Sequence, residues 1–119
     1  MKVSILTLVS LTRNDVLRRV VKAALGPSAD DVNFVLEPSG INAIAAEFER
    51  EYDFLESATL AQLDPSSSIL DLLADEPEGE TEKMLRTNKL RYEARRDLLV
   101  SKELFFDIVR LLGIEFQAS

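Results

Sequence analysis

The chain has 119 residues, 46% hydrophobic and 29% charged, with a formal net charge of −7, a composition that fits one globular domain and excludes a wholly disordered chain. It contains no Cys, His or Trp, which excludes disulfides, thiolate nucleophiles, Ser-His-Asp triads and HExxH zinc sites. Carboxylate and Ser-Lys chemistries stay open in principle, but the composition favours a non-enzymatic protein without cofactor or metal.

Residues 1–11 hold one positive charge and then an apolar run broken by Ser4, Thr7 and Ser10, without a clear small-x-small site after it. That pattern is a poor signal peptide. No stretch reaches the roughly 18–20 apolar residues needed to span a bilayer. The expectation is a soluble protein of the cytoplasm or of a virion, with no membrane partner.

Residues 3–11 read either as a buried strand or as an extension of the helix that follows. Thr12 with Asp15 three residues on reads as a helix start, and Val16, Val20 and Ala23 continue at helical spacing until Gly26-Pro27 stops the helix. Residues 32–36 read as a short strand closed by Pro38-Ser39-Gly40. Two such strands around one helix would form a βαβ unit, too small to stand alone.

Residues 41–63 read as one long helix with Ile41, Ile44, Ala45, Phe48, Tyr52 and Leu55 as its apolar stripe. Residues 64–68 break the chain and can cap a short helix over 69–74. The acidic loop 75–80 has no apolar side chain to pack and reads as a hinge. Residues 81–112 contain no Pro or Gly and read as a single helix, with Leu90, Ala94, Leu98, Ser101, Phe105, Ile108 and Leu112 at alternating three- and four-residue steps. Gly113 is its natural stop, with Ile114 and Phe116 able to fold back on the last turn. Such a helix would be about 45–50 Å long, against a radius of gyration of about 13–14 Å for a compact domain of this size. It must bend, or be lined by helices of its own or a neighbouring chain. The fold class expected is mainly α: one domain over 1–119, a long C-terminal helix and a minor N-terminal β element, with α+β as the alternative.

Charge is strongly segregated. Residues 1–36 carry five basic and three acidic groups, and residues 37–82 carry thirteen acids against Arg50 alone. Residues 83–96 reverse the sign, with Lys83, Arg86, Lys89, Arg91, Arg95 and Arg96 against Glu93. Three readings follow. The basic segment lies against the chain's own acidic helix; or it meets another subunit, where charge sets register and partner choice; or it contacts nucleic acid, with Tyr92 stacking on a base. The net negative charge opposes the third.

Residues 104–112 hold seven apolar side chains in nine positions, more of the helix circumference than a one-sided core stripe needs. This segment reads as central core or as an oligomer surface. The interface candidates are Leu98, Phe105, Phe106, Ile108, Val109 and Leu112, with Phe106 and Val109 favoured because they lie off the main stripe. No phosphate loop, GxSxG elbow or EF-hand spacing occurs, and the carboxylate pair Glu47 and Glu51 reads as an exposed helix face. The functional expectation is a helical assembly, adaptor or structural component, of the kind found in phage particles and multi-subunit machines. Its partner would be a copy of itself or another protein. Nucleic-acid association through 83–96 is the alternative.

Overall fold

The computed structural model describes residues 3–66, 73 and 79–112, and is mainly α-helical. The helices among them are α1 (Ile5–Ser10), α2 (Asp15–Leu25), α3 (Pro38–Ser57), α4 (Leu60–Leu63) and α5 (Glu80–Leu111), with a 3-10 segment Gly26–Asp30 after α2. The described residues contain no strand. The short helix expected at 69–74, the loop at 75–78 and the stop at Gly113 with Ile114 and Phe116 lie outside them, Leu73 apart.

Both strand readings are corrected. Residues 5–10 form α1, capped by Ser4, whose Oγ accepts from Thr7 N–H at 3.1 Å. Leu6 and Val9, three residues apart, are buried, and that spacing is helical rather than alternating. Ser10 Oγ donates to the Leu6 carbonyl and Thr12 Oγ1 to the Val9 carbonyl, each at 2.6 Å. Hydroxyls that bind nearby carbonyls offer the backbone an alternative to a sheet ladder. Residues 31–37 form an irregular connection instead of a strand. Asp31 Oδ1 accepts from Asn33 N–H at 2.9 Å, which bends the chain into an Asx turn, while Leu36 reaches the core and Phe34 packs on its edge.

The start of α2 moves by two residues from the reading at Thr12. Asn14 is its N-cap, accepting from Leu17 N–H at 3.0 Å, and Arg13 just before it takes a left-handed φ of 56°. The helix ends at Gly26, whose φ of 57° suits a residue without a Cβ.

The helix read over 41–63 is two helices. α3 starts at Pro38, where a ring-fixed φ suits the first turn, and stops at Ser57. Ala58 and Thr59 are extended, and Thr59 with Gln62 forms a capping box that starts α4.

α5 is 32 residues long, about 48 Å at 1.5 Å per residue. It stays one helix and gives the molecule an elongated form, with a radius of gyration of 17.7 Å and extents of 57 × 28 × 19 Å. α2 and α3 pack against it, and α4 lies against it as well. The core gathers Leu6 and Val9 from α1, Leu17, Val20 and Val21 from α2, Ile41, Ile44, Phe48 and Leu55 from α3, and Leu98, Phe105 and Val109 from α5. Each large side chain so buried contributes about 1.5–3 kcal/mol. No helix among the described residues is long and apolar enough to cross a membrane.

Candidate functional site

α5 has two faces with different surroundings. Its inner face follows the stripe read from the sequence as far as Phe105: Leu98 and Phe105 are 4% and 1% exposed, and Ser101 between them is buried, while beyond them the buried residue is Val109, read as off the stripe, with Ile108 half-buried and Leu112 exposed. Ser101 Oγ lies 2.6 Å from the Asp97 carbonyl and 3.0 Å from Asn14 Oδ1, so its hydroxyl is satisfied inside the core.

Among the interface candidates, Leu98, Phe105 and Val109 are thus part of the chain's own core, Val109 at 2% exposure. Phe106 and Ile108 are half-buried at its edge, with Phe106 set edge-on to Phe105 at 5.5 Å between ring centres. Leu112, at the end of α5, is exposed.

The basic segment divides. Arg91 Nη2 donates to the Ala58 carbonyl at 2.8 Å, satisfying the backbone where α3 ends. Arg95 Nη2 meets Glu56 Oε1 at 2.6 Å, and its guanidinium carbon stands 5.4 Å from the centre of the Tyr52 ring. Lys83 and Arg86 also make polar contacts within the chain. Lys89 and Arg96 point away from the body, Arg96 with only a 4.0 Å approach to Asp97. Further along, Lys102 meets Glu49 at 2.7 Å and Arg19 of α2 pairs with Glu51. The acidic helix α3 is therefore flanked by cations from both α5 and α2.

The outer face of α5 was not singled out by the sequence reading. Leu85, Lys89, Tyr92, Arg96, Leu99, Glu103 and Phe106 repeat at steps of four and three residues along it. Leu85, Tyr92 and Leu99 are 61%, 67% and 55% exposed. They are three large apolar side chains at a strict seven-residue spacing, on the side of the helix turned away from its own core. A shallow groove of about 350 Å³ runs beside them, lined by Tyr52, Tyr92, Arg95, Arg96, Leu99 and Glu103. Helices that pack along one another carry two apolar positions per seven residues; this stripe supplies one of them, and the other is charged. Its trace in the sequence is weak because a charged residue stands at every second step.

A second cleft, of about 380 Å³, lies between α2, α3, α4 and α5. Its carboxylates are Glu51, tied to Arg19, and Asp97, whose side chain is mostly exposed. That differs from two buried acids facing each other, the arrangement acid/base catalysis would use. Glu47 and Glu51, read as an exposed helix face, are half-buried instead, Glu47 paired with Arg50 and Glu51 with Arg19. Among the described residues no cluster of three or more Asp, Glu, His or Cys side chains is placed to hold a metal ion.

Comparison of the chain with protein-family models, with curated proteins and with solved structures finds no match.

Proposed function

We propose that this chain is a non-enzymatic helical module that works through protein–protein contacts, as an assembly, adaptor or structural component of a larger complex such as a phage particle or a multi-subunit machine. The observation that supports this is the outer stripe of α5. Leu85, Tyr92 and Leu99 expose more than half of their surface at seven-residue spacing, on a helix whose opposite face already supplies the core. Large apolar side chains left exposed along one face of a helix suit a contact with another protein. Phe106 ends the stripe near the core edge.

Nucleic-acid contact through residues 83–96 is the weaker reading. Arg91 and Arg95 bind groups of α3 and its end, which leaves few cations of that segment for phosphates. Light scattering after size exclusion, read at 260 and 280 nm, separates the two. Protein contact predicts a nucleic-acid-free assembly heavier than the 13.3 kDa chain, weakened in a Tyr92→Ser, Leu99→Ser double variant that keeps its helical circular dichroism. A particle with a strong 260 nm signal that high salt removes would overturn it.

A further inference from the structure

We infer that the occupant of the outer face of α5 is α5 of a second copy of the chain, running antiparallel, with Arg96 at the two-fold axis. This rests on the reading of that face as a protein contact and goes beyond it by naming the partner and its direction.

The order of residues along the stripe is self-complementary. Read from one end it runs Leu85, Lys89, Tyr92, Arg96, Leu99, Glu103, Phe106. Laid against its own reverse, Leu85 faces Phe106, Lys89 faces Glu103 and Tyr92 faces Leu99, with Arg96 facing itself. Every apolar position meets an apolar position. The two outer charged positions meet their opposites, and each occurs twice by symmetry. A two-fold contact needs such a self-complementary patch.

The parallel alternative is different. In register it sets Lys89 on Lys89, Arg96 on Arg96 and Glu103 on Glu103, three like-charge contacts along one seam. Charges flanking a helix seam select orientation in this way. The one like-charge contact that the antiparallel pairing keeps is at Arg96, where Asp97 stands 4.0 Å from the guanidinium and offsets it.

The faces are accessible. Lys89, Arg96 and Glu103 are exposed, as are Leu85, Tyr92 and Leu99, while Phe106 at the end of the seam is half-buried against its own core. The seam from Leu85 to Phe106 is about 32 Å long and lies within the one unbroken helix α5.

Cross-linking tests the proposal on a chain that has no native Cys. Arg96→Cys should cross-link to itself on mild oxidation. Lys89→Cys and Glu103→Cys should each stay uncrosslinked alone, because their counterparts would lie about 21 Å apart along the axis, and should form a heterodimer when mixed. Self-cross-linking of Lys89→Cys alone and Glu103→Cys alone would overturn the antiparallel arrangement. A wild-type chain that is monomeric at all concentrations would overturn the second copy as occupant. If Leu99→Glu then still abolished binding to a purified foreign protein, the protein-contact reading would stand without it. If Leu99→Glu changed no protein contact of any kind, that reading would fail too.

Discussion

The guanidinium of Arg95 stands over the ring of Tyr52, 5.4 Å from its centre, while the same group binds Glu56 one helical turn further along α3. One cation of α5 thus ties two residues of α3, near the point where the acidic helix ends. Arg95→Ala removes both contacts. Partly exposed cation–π and ion-pair contacts are each worth about 0.5–1 kcal/mol, so a loss of about 1 kcal/mol is expected in urea unfolding. Arg95→Glu sets a like charge against Glu56 and should destabilise more than the alanine change. Equal stability of all three chains would show that this contact is idle.

Asn14 has two roles: it caps α2 and its side-chain oxygen lies 3.0 Å from the buried Ser101 hydroxyl. Asn14→Ala removes the cap and leaves Ser101 with the Asp97 carbonyl alone. Loss of an N-cap costs about 1 kcal/mol and typically not more than 2, and Ser101 keeps one acceptor, so the expected loss is about 1–2 kcal/mol. Asn14→Asp retains an acceptor at the cap and should recover most of it. Thermal or denaturant unfolding of the pair checks the order.

The two faces of α5 predict opposite responses to the same kind of substitution. Phe105→Ala opens a cavity in the core, where Phe105 packs with Leu98 and Val109, and should cost about 3–5 kcal/mol. Leu99→Ala removes an exposed side chain and should change stability by about 0.5 kcal/mol or less. A large cost at Leu99 in a monomeric chain would mean that the face is covered from within.

Salt provides a further check. The seam proposed for the second copy has two Lys89–Glu103 pairs near the surface, and surface pairs are screened by added salt. Lys89→Glu alone should weaken association by setting Glu against Glu. Lys89→Glu combined with Glu103→Lys should restore it, because the reversed pair is again opposite in sign. Association measured by sedimentation for the three variants checks this, and a double variant no better than the single would contradict the pairing.

The inner half of this architecture was legible in the sequence and the outer half was not. Leu90 to Phe105 reads as a stripe because no charge interrupts it, and the helix read over 81–112 matches α5 to within one residue at each end. The outer stripe hides because Lys89, Arg96 and Glu103 stand between its apolar members, so a residue-by-residue reading sees a solvated face. Residues 3–11 were ambiguous because β-branched and hydroxyl residues suit a strand. The helix agrees with the three-residue spacing of the buried Leu6 and Val9 and with the local bonds of Ser4, Ser10 and Thr12. The break after Ser57 was missed because the apolar pattern runs through it, while the Thr59 and Gln62 capping box starts a new helix there. Charge segregation was readable, and the structure adds which cations are engaged within the chain: Arg91 and Arg95 are, Lys89 and Arg96 face outward.

The outer face of α5 as a contact between two copies of the chain is tested most directly by sedimentation velocity of the wild-type chain and Leu99→Glu over a concentration series, with unfolding measured in parallel. The wild type should gain mass with concentration. Leu99→Glu should stay at the 13.3 kDa monomer with its stability changed by about 0.5 kcal/mol or less. Two chains that sediment alike, or a Leu99→Glu chain that no longer folds, would contradict that contact.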